Sequence, residues 1–329
     1  MEAERVESEL RAALTAADDA SATPAERAEM LMEIAMGLQQ RPKSPEQLGA
    51  AISLYDRALA VCPEEQPLLR ARIGARKGTA LQAVPGESTD ALEAAREAHE
   101  GALKVLRELG RPEEVAEVEM NLGLVIQALA AAGLARITDA ISAYQRSLRT
   151  FDKAGFPREF AILQNNLATA FLSMAVGDQT GKMREAMAVA AFEEGLRVVN
   201  LIDHPAEYAM LQNNLGNALQ YASSSHMVEN NLRALEAYDE ALKVRTRDSM
   251  PLEYANTIAN RANCLRNLPD DSSSPELGSK KNLLAARAAY VEARALFAQY
   301  GEHGKSRIAG EACEQIDRDM LMQAEVAND

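Results

Sequence analysis

The side chains in this chain best suited to directed chemistry are asparagines, and their spacing is that of a helix face. Asn256, Asn260, Asn263 and Asn267 follow one another at intervals of four, three and four. Met210, Asn214, Asn217 and Tyr221 do the same, as do Ile162, Asn166, Thr169 and Ser173. Such intervals bring residues onto one stripe of an α-helix. Asparagine is a poor residue for the middle of a solvated helix, but its amide carries donor and acceptor together. A ladder of these amides suits the main chain of an extended peptide, whatever the peptide's side chains. A second reading stays open for Asn165 and Asn213, which lead the two Asn-Asn pairs: hydrogen bonding between neighbouring helices. Glu117 with Asn121, and Arg72 with Arg76, hold the matching upstream positions. The two arginines, one turn apart, are placed to hold an acidic group.

Covalent chemistry finds no comparable pattern. Gly301–Ser306, G-E-H-G-K-S, ends like a phosphate-binding loop, but Gln299 stands where that loop needs glycine and no strand precedes it, so it reads as a turn. His303 and Cys313 lie ten residues apart and lack the spacing of a His/Cys catalytic pair. His99, His204 and His226 fall in separate segments without metal-ligand spacing; His99 fits a packing role and His204 a turn. The acid pairs Asp18-Asp19 and Asp270-Asp271 sit in end and loop segments. The expectation is a protein that is not an enzyme and uses no metal and no cofactor.

These residues must be positioned by a repeat. Prolines at Pro24, Pro67, Pro112, Pro157, Pro205 and Pro251 are 43, 45, 45, 48 and 46 residues apart. Four residues after each comes alanine (Ala28, Ala71, Ala116, Ala161, Ala209, Ala255), and seven further on a small residue (Ala35, Gly78, Gly123, Ala168, Gly216, Ala262). Three beyond that is a large apolar one: Leu38, Leu81, Ile126, Phe171, Leu219, Leu265. The positions share one helix face, on which small residues admit a close neighbour. Proline suits the first helical turn, and the glutamate two residues after five of the six prolines favours a helix N-terminus. A second helix follows in each unit, with small, usually aromatic, small at i, i+4 and i+7: Ala51-Tyr55-Ala58, Ala95-His99-Ala102, Ala140-Tyr144-Ser147, Ala188-Phe192-Gly195, Ala234-Tyr238-Ala241 and Ala286-Tyr290-Ala293.

This pattern resembles the tetratricopeptide repeat. His204–Gly216, H-P-A-E-Y-A-M-L-Q-N-N-L-G, is similar to the long repeats of kinesin light chain. It is more similar still to bacterial long-repeat arrays written P-L-E-W-A-x-T-Q-N-N-L-G, with Tyr254 at the tryptophan position of the sixth unit. The resemblance implies an all-α, right-handed superhelical solenoid whose first helices line a concave groove. It thereby places Asn121, Asn166, Thr169, Met210, Asn214, Asn217, Tyr221, Asn256, Asn260, Asn263, Arg72 and Arg76 there. The expected organisation is a capping helix in 1–23, six helix pairs in 24–304, and a C-terminal capping helix and tail in 305–329. The loop 268–281 is longer and more polar than the others.

Composition bounds the partners. A net charge of −14 and a pI near 4.9 argue against nucleic acid or an anionic membrane surface. The acidic N-terminus reads as no signal peptide, and no apolar stretch has the length of a membrane span. Three cysteines, Cys62, Cys264 and Cys313, without C-x-x-C spacing, fit a reducing cytoplasm. The expected function is a cytoplasmic, non-catalytic scaffold binding a peptide or partner protein in the groove. Alternatives are an assembly or maturation chaperone for a bacterial multi-subunit enzyme, a small-molecule sensor using the groove as a pocket, and a self-associating array, a homo-oligomer.

Overall fold

In the computed structural model, residues 22–40, 45–86, 89–174, 178–222, 226–271, 273–275 and 278–326 are described, without the side chains of 178–180 and 323–326. The capping helix expected in 1–23, apart from residues 22 and 23, and the last three residues lie outside them. The described residues hold thirteen helices and no strand. They fall into two compact units, Met1–Asp152 and Lys153–Asp329.

The first unit contains α1 (Pro24–Gln40), α2 (Pro45–Val61), α3 (Pro67–Gln82), α4 (Asp90–Leu109), α5 (Pro112–Ala131) and α6 (Ile137–Ser147). The second contains α7 (Pro157–Ser173), α8 (Asp178–Leu196), α9 (Pro205–Gln220), α10 (Met227–Leu242), α11 (Pro251–Arg266), α12 (Lys280–Gln299) and α13 (His303–Val326). Every repeat proline opens a helix, where its missing N–H costs nothing. The glutamates behind the prolines do more than face a helix dipole. Glu26 Oε2 accepts from the Thr23 N–H at 2.7 Å while Thr23 Oγ1 accepts from the Glu26 N–H at 3.3 Å, a reciprocal cap.

Within each pair, the small residue of the first helix is the floor for the aromatic of the second. A Cβ added to Gly216 would stand 2.6 Å from the Tyr238 ring, and one on Gly78 would stand 2.8 Å from His99. Gly123 lies against Tyr144 in the same way. The aromatics Tyr55, Tyr144, Phe192 and Tyr238 are fully buried. Each buried tyrosine hydroxyl therefore needs a partner, and the glutamine fifteen residues after the repeat proline supplies one. Tyr55 donates to Gln39 at 2.7 Å, Tyr144 to Gln127 at 2.8 Å, and Tyr238 reaches Gln220 at 3.0 Å. In the fourth repeat the aromatic is Phe192 and the glutamine position is Leu172, so hydroxyl and acceptor are absent together.

Two polar substitutions in the packing are compensated locally. Ser147, in an alanine slot, donates to the Ala116 carbonyl at 2.8 Å. Glu119 is buried but accepts from Arg107 at 2.6 Å and from Arg146 at 2.7 Å, tying α5 to both flanking second helices. At the far end of the second unit, α13 begins after Gly301, whose φ of +79° suits glycine. Its Ala309, Cys313 and Ile316 pack with Tyr290, Leu296 and Phe297 of α12. The long polar loop before α12 is pinned at its base: Asp270 accepts from the Lys281 and Asn282 N–H groups, both at 2.8 Å. The Gly301–Ser306 segment is a turn running into α13.

Candidate functional site

The stripe of polar residues on the first helices takes a different form in each unit. In the first, the crevice between α3 and α5 is closed by ion pairs. Arg72 donates to Glu114 through Nε at 2.7 Å and Nη2 at 3.2 Å, and Arg76 donates to Glu117 at 2.7 Å. Asn121 reaches Thr79 Oγ1 at 3.4 Å. What remains open among these residues, Leu106 and Val118 is about 40 Å³, room for a water or two. The acidic groups that Arg72 and Arg76 hold are thus the chain's own, from the next repeat. The Arg72 guanidinium keeps Glu114 well below the usual carboxylate range, at about 2.

In the second unit the asparagines run as a hydrogen-bonded ladder across α7, α9 and α11. Asn214 donates to Asn165 Oδ1 at 2.7 Å, and Asn260 to Asn213 Oδ1 at 3.4 Å. Within each Asn-Asn pair the first donates to the second, Asn165 to Asn166 at 3.3 Å and Asn213 to Asn214 at 3.0 Å. Thr257, fully buried, adds a contact to Asn213 Oδ1 at 3.2 Å. The inter-helix reading of Asn165 and Asn213 is therefore what the side chains do. Asn214 and Asn260 spend amide protons on it, and Asn166 is buried at its start with Nδ2 unbonded. Thr169 donates to the Asn166 carbonyl, and Asn256 to Leu252 one turn back. Met210 stays half-buried on the stripe.

The other end of the stripe is less committed. Asn217 Oδ1 accepts from Tyr238, and Asn263 donates to the Tyr221 hydroxyl at 2.9 Å. Tyr221 is 69% exposed, at the C-terminal end of α9. Beside Asn217 and Tyr221 a cavity of about 310 Å³ opens among Phe171, Leu172, Met174 and Arg184. That volume admits a large side chain. Leu172, on its wall, stands where the first, third and fifth repeats carry the glutamine that crosses to the second-helix tyrosine. Sequence reasoning singled out Asn217 and Tyr221 but missed Leu172, Met174 and Arg184. The signal for Leu172 was an apolar residue where four of the other five repeats carry glutamine.

Among the described residues no cluster of three or more His, Cys, Asp or Glu is arranged to hold a metal ion, and no helix is long and apolar enough to cross a membrane. His99 is completely buried with neither ring nitrogen bonded, and burial lowers its pKa from 6.5 to about 4. It is a packing residue.

No family model matches the chain, and no curated protein matches it by sequence. Among solved structures the chain is similar to a Rap protein complexed with Competence and Sporulation Factor, at 13% identity over 91% of this chain and 82% of that one, with a TM-score of 0.47. It is similar to the apo form of RapI at 13% identity, over 90% and 99% of the two chains, with a TM-score of 0.48. A third is the TPR2AB domain of yeast Sti1 in complex with pHSP90, at 16% identity, 88% and 98% coverage and a TM-score of 0.28. With small first-helix residues seated under second-helix aromatics in successive pairs, the chain is a tetratricopeptide-like helical repeat protein.

Proposed function

We propose that the chain is a non-catalytic protein-interaction scaffold that holds a peptide segment of its partner against the first helices of the second unit. The observation that carries this reading is the 310 Å³ cavity beside Asn217 and the exposed Tyr221. An apolar side chain of the partner seats there between Phe171, Leu172 and Met174, and the amides of Asn217 and Asn263 flank its main chain. An exposed tyrosine at the rim of an apolar pocket is the kind of residue that dominates binding energy. The asparagine ladder holds α7, α9 and α11 in register beneath it, so those amides serve the site by positioning it. A reducing compartment fits three cysteines that are all free and buried.

The test is selection of random dodecapeptides displayed on phage against the full chain. Selected peptides should share an apolar residue, and Tyr221→Ala and Leu172→Ser should each weaken them at least tenfold with the helical circular-dichroism signal intact. Peptides indifferent to both substitutions, or no enrichment at all, would end this reading.

A further inference from the structure

The seam between α9 and α11 differs from its counterpart in the first unit at two positions that the second to fifth repeats keep apolar. Six residues before and six after the second to fifth repeat prolines stand Val61 and Ile73, Leu106 and Val118, Phe151 and Leu163, and Val199 and Leu211. All but Val61 are buried. In the sixth repeat the same positions are Arg245 and Thr257. Leu106 and Val118 line the α3–α5 crevice, and Arg245 and Thr257 hold the equivalent repeat positions between α9 and α11.

The two polar residues are joined. Arg245 Nη1 donates to Thr257 Oγ1 at 3.0 Å, and Thr257 meets Asn213, which also accepts from Asn260. The guanidinium is half-buried, its Nε is buried without a hydrogen-bond partner, and it forms no ion pair with the described residues. Glu253 is the carboxylate that bears on it electrostatically, and burial lowers the arginine's pKa despite that carboxylate. In the first unit the matching glutamate, Glu114, is taken by Arg72; the position of Arg72 in the fifth repeat is Met210, which can pair with nothing. A half-buried cation with no carboxylate in direct contact is costly unless something supplies one, and in a chain of net charge −14 this one stands out.

We propose that Arg245, backed by Thr257, Asn213 and Asn260, is a subsite for an aspartate or glutamate side chain of the partner peptide. This deepens the peptide-binding reading and rests on it. The planar guanidinium fork matches a carboxylate, and the Asn260 amide beside it is a neutral donor. The subsite makes the partner acidic at this point although the scaffold itself is acidic.

The experiment uses the full chain and a probe with one side-chain carboxylate, N-acetylglutamate α-amide, against N-acetylglutamine amide as neutral control. The guanidinium NMR signal of Arg245 is followed in titration. The acidic probe should shift it saturably at millimolar concentration, and the neutral one should bind at least tenfold more weakly. The double variant Arg245→Val, Thr257→Leu, which restores the residues of the fifth repeat, should melt above the wild type. It should also lose the probe-induced rise in melting temperature. Should that variant not fold, Arg245→Gln keeps a donor to Thr257 without the charge and should lose the same response. Equal response to both probes, a double variant that folds but melts lower, or an unchanged response in the variants overturns the subsite. If the acidic probe behaves as expected while displayed peptides ignore Tyr221→Ala and Leu172→Ser, the peptide reading fails and the anion site stands alone.

Discussion

Asn214 of α9 donates its side-chain amide to Asn165 of α7 at 2.7 Å, joining two first helices whose sequence positions are 49 residues apart. One repeat later Asn260 makes the same contact with Asn213 at 3.4 Å. The ladder makes asparagine, ordinarily a weak helix former, a strut between helices.

Asn165→Ala removes the acceptor and strands the Asn214 amide in a partly buried position. An unsatisfied buried donor costs about 1–3 kcal/mol, so urea unfolding should show a loss of that size. Asn256→Ala is the control, since among the described residues Asn256 bonds only the Leu252 carbonyl of its own helix; a change within about 0.5 kcal/mol is expected there.

His99 occupies the slot that tyrosine fills in the first, third, fifth and sixth repeats, above the same glycine floor as Tyr144 and Tyr238. Gln82 holds the position of the glutamines that Tyr55, Tyr144 and Tyr238 reach. His99→Tyr should therefore raise the melting temperature, because the new hydroxyl meets an acceptor where two imidazole nitrogens now meet none.

The same histidine sets an acid sensitivity. Its folded pKa is near 4 against an ordinary 6.5, so the unfolded chain takes up the proton first. Stability from the neutral imidazole is complete above pH 6.5 and drains away as pH falls toward 4. At ~1.4 kcal/mol per pKa unit the loss reaches about 3 kcal/mol. Glu114 acts in a lower window: its carboxylate, depressed to about 2 by Arg72, gives stability above pH 4.5 that is lost as pH falls through 2. Urea unfolding between pH 7 and pH 4 should show a decline in the wild type that His99→Tyr removes.

Gly181 lines the cavity from within α8. Gly181→Leu replaces a helix-interior glycine, worth roughly 1 kcal/mol in helix propensity, and puts a side chain into the space. Thermal melting should show a more stable protein, and the selected peptides should bind it at least tenfold less well. Binding unchanged in a stabilised variant would place the partner elsewhere.

The fold was legible because its determinants are local and repeated. Gly216 and Tyr238 recur as Gly123 and Tyr144, and a residue that must be small beneath one that must be flat shows at constant spacing. The asparagine stripe was legible as a stripe, while its use was divided: Asn165 and Asn213 tie helices together, and Tyr221 and Asn263 face outward. What Arg72 and Arg76 hold was not read, because their partners lie 42 and 41 residues away in the next repeat. The cavity escaped because its walls come from two different repeats, Phe171, Leu172 and Met174 from the fourth and Asn217 and Tyr221 from the fifth. Arg245 escaped because it lies outside the proline, small, large apolar and aromatic positions that define the repeat; set against Val199, it is conspicuous.

The Asn-Asn pair is self-complementary from one repeat to the next, its first member accepting and its second donating. A tandem copy of residues 205–250 would bring a second Asn214 to the Asn213 already present, so the added repeat would arrive with its contact coded. An array carrying this pair can lengthen or shorten by whole units through gene duplication and deletion without inventing an interface, and a lineage can change the reach of its binding face while every junction stays the same.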